Sequence, residues 1–73
     1  MTLSTAARNV ELEIVHIPEG DCRSQLIRMG ISEGVRVKCR HRLPLGAVVL
    51  KARRQEMAIG RQLAGQILVR EPV

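Results

Sequence analysis

The chain contains no phenylalanine, tyrosine or tryptophan. Its core must therefore be aliphatic. It also lacks any ring on which a nucleobase could stack, an interaction worth roughly 1–3 kcal/mol per base in single-strand-binding modules. No apolar run approaches the roughly 20 residues that a membrane-spanning helix needs. The first residues show neither a basic n-region nor a continuous apolar h-region, so no secretory signal is read and a cytoplasmic location is expected. Only two cysteines occur, Cys22 and Cys39. Without a secretory context they are read as reduced thiols rather than as a disulfide. Internal repeats and low-complexity tracts are missing as well.

What remains is a short basic chain. Its 73 residues are expected to form a single domain spanning 1–73, with the first eight residues loose. An apolar fraction of 45% beside a charged fraction of 26% argues against disorder. Twelve basic residues against seven acidic ones leave a net charge of +5. That balance suits an anionic partner, whether nucleic acid, the inner membrane surface or an acidic protein patch. A solvated basic face that merely keeps the chain soluble accounts for it equally well.

The backbone punctuation is clearest between Arg28 and Gly46. Gly30 can take the left-handed conformation that closes a helix. Gly34 permits a tight turn after Glu33, and Pro44 with Gly46 makes a second turn. Between these breaks Val35, Val37 and Cys39 alternate with Arg36, Lys38, Arg40 and Arg42, which predicts a strand with one apolar and one fully cationic face. Before it, Val10–Ile17 reads as a strand entered through Asn9. Asp21–Met29 reads as a short helix capped by Asp21, with Cys22, Leu26 and Met29 as its buried stripe. Arg23 and Arg28 should project to solvent. Ala47–Arg53 predicts a strand with Val48, Leu50 and Ala52 on one face. A turn at Arg54-Gln55, a strand Glu56–Ile59, a helical turn at Gly60–Ala64 and a closing strand Gln66–Arg70 follow. The fold class is mainly β: a small SH3-like barrel of about five strands with one short inserted helix and a late helical turn.

Reactive side chains are few and scattered. None of Ser4, Ser24, Ser32, His16, His41, Cys22 and Cys39 lies in a nucleophile elbow, and no phosphate-cradling loop of the Walker type is present. Cys39 and His41 are two residues apart and should share a strand face, but a cysteine in the Val35-Val37-Cys39 row is read as packing. Structural zinc sites need four ligands at recognisable spacings. Two isolated cysteines and two isolated histidines do not supply them, so no metal ligand and no cofactor are assigned. The cationic row, with Lys51, Arg53 and Arg54 adjoining, could track phosphates or meet an acidic protein.

The order of helix, Met-Gly-Ile-x-x-Gly, alternating strand, Pro-Leu-Gly, strand, Met-Ala-Ile and a closing Ile-Leu-Val strand resembles the FeoA family. These are small cytoplasmic SH3-like proteins of bacterial ferrous iron uptake. The likeness runs from about Leu3 to Val69. Gln25 to Gly34 is similar to the family's RLxxLGLxPG block, Pro44-Leu45-Gly46 to its APLGDP turn and Met57-Ala58-Ile59 to its LALR strand end. Three departures stand out. Gly60 occupies a position commonly held by arginine, Arg54 a frequent glycine position, and the turn after Gly46 is shortened.

The resemblance implies a non-enzymatic accessory or regulatory protein. Its partner would be a membrane Fe(II) transporter of the FeoB type, which carries a cytoplasmic G-protein domain. The same fold occurs as a C-terminal domain in iron-responsive repressors of the DtxR type. Partner contacts are expected at the helix end and the second turn: Leu26, Met29, Gly30, Pro44, Leu45 and Gly46. An aliphatic side chain in the middle of a Pro-x-Gly turn is hard to bury locally, so Leu45 is the most informative of these. An exposed Leu45 could also support self-association. The alternatives are a stand-alone basic nucleic-acid-binding barrel, opposed by the missing aromatics, and a transition-metal-sensing module, supported only by scattered Cys and His.

Overall fold

Five short strands alternate apolar and polar side chains, and that period of two decides which way each faces. The computed structural model describes residues 1–72. Along the chain run β1 (Glu11–His16), α1 (Asp21–Arg28), β2 (Arg36–Arg42), β3 (Val48–Ala52), β4 (Gln55–Ile59), α2 (Arg61–Ala64) and β5 (Leu68–Arg70). All strand pairs are antiparallel, in the order β4-β3-β2-β1-β5. The sheet is that of an SH3-like barrel, with α1 inserted between β1 and β2. Leu12, Ile14, Val37, Cys39, Val48, Leu50, Met57, Ile59 and Val69 line its interior, and every buried residue among those described is apolar.

The end of α1 is built as a Schellman motif. The Gly30 N–H donates to the Ile27 carbonyl at 3.0 Å and the Ile31 N–H to the Leu26 carbonyl at 2.8 Å, with Gly30 at φ +86°. This is the 5→2 and 6→1 pattern, and its usual apolar contact falls between Leu26 and Ile31, both buried. At the other end Gly20, not Asp21, is the N-cap, and Asp21 is the first helical residue. The expected stripe is also narrower. Leu26 is buried, but Cys22 and Met29 are exposed, because Leu26 alone of the eight helical residues is buried against the barrel.

Arg23 is not a solvent-facing residue. Its guanidinium donates to the Ile17 carbonyl at 2.8 Å and bidentately to Glu33, at 2.5 and 2.8 Å, while the Ile17 N–H donates to the same carboxylate at 3.2 Å. The cluster ties the helix, the end of β1 and the Ser32–Gly34 turn together. The Arg23 hydrogen bond, with the backbone N–H groups of Glu33 and Ile17, lowers the Glu33 carboxyl from 4.5 to about 2. Folding thus favours the ionised form. The resulting stability is complete above pH 4.5 and is lost as the pH falls towards 2. Glu33→Gln should flatten the fall of the urea midpoint over that interval. An unchanged pH slope would count against the cluster.

The first eight residues, expected loose, are docked. Leu3 and Ala6 are fully buried, the Leu3 N–H donates to the Ile67 carbonyl at 3.1 Å, and Ser4 donates to Ala64 at 3.2 Å. Thr2 forms a bridge with Leu68, extending the edge of the sheet beyond β5. Asn9, at φ +63°, turns this segment into β1.

Two further differences alter the surface. The hairpin turn between β3 and β4 is Arg53-Arg54, with Ala52 opposite Gln55, rather than Arg54-Gln55. This register sets Val48 against Ile59 and Leu50 against Met57, so four inward side chains pair. Arg53 takes the positive φ, +58°. In β2 the register shifts between Cys39 and His41, leaving Arg40 as the extra residue of a bulge. The phase of the strand flips there. Cys39 is buried opposite Leu50, while His41 is exposed opposite Val49. The two therefore do not share a face. Arg42, expected in the cationic row, pairs with Val48 and donates to the Ser4 carbonyl.

Candidate functional site

Leu43–Gly46 forms a type II turn. The Gly46 N–H donates to the Leu43 carbonyl at 3.1 Å, Pro44 takes the first central position, and Leu45 the second at φ +73°, ψ 6°. That second position normally belongs to glycine or asparagine. A left-handed L-residue costs roughly 1–2 kcal/mol. Leu45 occupies it with its side chain 91% exposed, so neither backbone preference nor local burial accounts for a leucine here. Gly46 is also left-handed, at φ +89°, and a Cβ there would lie 2.7 Å from the Arg61 Cδ. The turn thus packs against the first residue of α2.

On the other side of that corner lies an apolar cleft of about 140 Å³, lined by Cys22, Leu26, Met29, Met57, Gly60 and Leu63 among others. It separates α1 from β4, an edge strand, and from α2. The Gln55 side-chain amide donates to the Met29 carbonyl at 2.7 Å, tying the start of β4 to the end of α1. Met29 is 40% exposed and forms part of the rim, whereas Leu26 is almost completely buried beneath it.

The structure therefore brings Leu26 and Met29 to one wall of the cleft, next to the glycine that closes their helix. Pro44, Leu45 and Gly46 do not line it. They flank the same β4–α2 corner from the side of Arg61. Met57, Gly60 and Leu63 complete the cleft and were not legible as site residues, because only the folded barrel brings β4 and α2 up to the helix. Gly60, where arginine is common in the resembling family, leaves its end of the cleft without a side chain.

Among the described residues, no three His, Cys, Asp or Glu side chains cluster closely enough to hold a metal ion. No helix among them is long and apolar enough to cross a membrane. The fold is an SH3-like barrel with an inserted helix, an apolar cleft and an outward-fixed leucine. The chain belongs to the FeoA domain family, whose model matches residues 1–71, a family of non-catalytic accessory domains associated with iron transport.

Solved structures agree with this. The solution structure of iron(II) transport protein A from Clostridium thermocellum is 25% identical, with a TM-score of 0.86 over 97% of this chain and 45% of that one. This chain thus spans less than half the length of that protein. A crystal structure of an iron uptake regulatory protein, FeoA, is 28% identical, with a TM-score of 0.82, covering 96% of this chain and 95% of its own. The metal-dependent transcriptional regulator MtsR shares the fold alone, at 15% identity and a TM-score of 0.81 over 97% of this chain and 36% of that one. No curated relative matches the sequence.

Proposed function

We propose that the chain is a non-enzymatic accessory protein of bacterial ferrous iron uptake, acting in the cytoplasm by binding the cytoplasmic part of a FeoB-type Fe(II) transporter. Membership of the FeoA family supports the iron-transport role. The observation that carries the partner reading is Leu45, a large apolar side chain held outward in a strained turn. Non-glycine residues kept in such conformations concentrate at functional sites, where the surroundings offset the strain. The contact surface consists of Leu26, Met29 and Gly30 at the end of α1, the neighbouring cleft, and Pro44, Leu45 and Gly46 beyond Arg61. Met29 and Leu45 would serve as apolar anchors, the kind of residue that dominates binding energy when an interface closes over it. The six residues form a protein-binding surface, without a metal or cofactor.

Calorimetric titration of the chain with the isolated cytoplasmic domain of such a transporter tests the reading. Saturable binding that is insensitive to salt is expected, because the anchors are apolar. No heat and no shift in sedimentation at tens of micromolar protein would sink it.

A further inference from the structure

On the outer face of β1, β2 and β3, away from the apolar cleft, five cations surround a concavity of about 180 Å³. Arg36, Lys38, Arg40, Lys51 and Arg53 line it with a single carboxylate, Glu11. The strand register makes this an uncomfortable arrangement for the free protein. Lys38 stands directly opposite Lys51, and like charges directly opposite one another destabilise a sheet. Glu11 opposite Lys38 and Glu56 opposite Lys51 offer partial relief. The ion pair formed there, however, is Arg36 with Glu11, at 3.7 Å and with both side chains more than half exposed. Lys38, Arg40, Lys51 and Arg53 form no ion pair among the described residues.

Arg40 adds an independent observation. It is the extra residue of the β2 bulge, a device that re-aims a side chain at the cost of a regular ladder. Its Nε is buried and finds no hydrogen-bond partner among the described residues. Buried donors of charged groups are almost always satisfied, and an orphan asks for a missing acceptor. The bulge also turns Arg42 out of the cluster to the Ser4 carbonyl, so the remaining cations converge on one concavity instead of forming a row.

We propose that this concavity is a binding site for a compact polyphosphate anion, of the inorganic pyrophosphate or nucleoside-diphosphate class. Guanidinium groups present paired donors that match phosphate oxygens, and lysines add mobile point charges. The lining carries five cations against one carboxylate, and even with Glu13 opposite Arg36 and Glu56 opposite Lys51 the face keeps a positive excess, suited to an anion of more than one charge. A nucleic-acid strand fits less well. The site is a pocket on three short strands rather than a long track, and the chain has no aromatic ring for a base. The bound anion would pair with the Arg40 guanidinium and screen Lys38 from Lys51.

Titration of the full chain with inorganic pyrophosphate in low-salt buffer tests the site. One-to-one binding is expected, weakened at least tenfold in both Arg40→Gln and Lys51→Gln and unchanged in Arg28→Gln, on exposed α1. Lys51→Gln should also keep or raise the urea midpoint, since it removes the Lys38 opposition, which separates lost binding from lost folding. A nucleoside diphosphate that binds as tightly as pyrophosphate identifies nucleotides as the source, and weaker binding identifies the free anion. The proposal is overturned if pyrophosphate binds no better than sulfate at equal ionic strength or if both variants bind like the wild type. Tighter binding of a DNA duplex or a polyglutamate peptide overturns it equally.

Discussion

Leu45→Gly should make the protein more stable and a poorer partner at the same time. Glycine removes the left-handed strain at φ +73°, roughly 1–2 kcal/mol, offset in part by the greater freedom of glycine in the unfolded chain. A gain of about 1 kcal/mol is expected, read as a higher urea midpoint at unchanged slope. The side chain lost is 91% exposed, so folding loses almost no burial with it. Binding does lose it. Covering a leucine side chain contributes about 1.5–3 kcal/mol, which corresponds to an affinity about 10- to 150-fold weaker. Leu45→Ser should weaken binding to a similar extent without altering the fold. If calorimetry with the transporter's cytoplasmic domain gives wild-type affinity for both variants, the turn is not a contact.

Ile31→Ala should be the most damaging single truncation near the site. Ile31 is fully buried and is the C″ residue of the motif that closes α1, against Leu26. Removing three buried carbons costs about 2–5 kcal/mol, depending on how far the pocket collapses. A chain of 73 residues at about 0.05–0.15 kcal/mol per residue has only about 4–11 kcal/mol in total. The variant is therefore expected to be partly unfolded at room temperature or to lose half its urea midpoint. Ile27→Ala makes the same chemical change four residues earlier, where the side chain is 47% exposed. Alanine is the better helix former there, so a change below about 1 kcal/mol is expected. Far-UV circular dichroism is the suitable probe, since the chain has no tryptophan or tyrosine to report by fluorescence. Equal losses in the two variants would contradict the packing described for the helix end.

The parts legible in the sequence were those governed by local rules. Alternation identified the inward face of β3, where Val48, Leu50 and Ala52 are buried. Gly30 and Gly34 marked the ends of α1 and its following turn, and both adopt the positive φ expected of them. Leu45 was legible as exposed because no neighbour in a Pro-x-Gly turn can cover it. What escaped depends on pairing between distant segments. Alternation carried the cationic row through Arg42, but the Arg40 bulge is a property of how β2 meets β3. Arg23 and Glu33 are ten residues apart with no shared period, so their bidentate pair needs the helix and the turn to be placed first. Leu3 and Ala6 show no pattern of their own and are buried only because the segment crosses beside Ala64 and Ile67. The cleft was half visible: its helix wall could be read, while the β4 and α2 wall could not.

The proposal that this FeoA-family chain meets a FeoB-type transporter through the end of α1 and the Pro-Leu-Gly turn is tested most directly by mapping amide shifts. The measurement is a nitrogen–proton correlation spectrum of the labelled chain, recorded as the transporter's cytoplasmic domain is added. Shifts or line broadening concentrated at Leu26, Met29, Gly30, Leu45, Gly60 and Leu63 are predicted, with Lys38 and Lys51 unmoved. An unperturbed spectrum, or changes confined to the outer face of β1, β2 and β3, would contradict it.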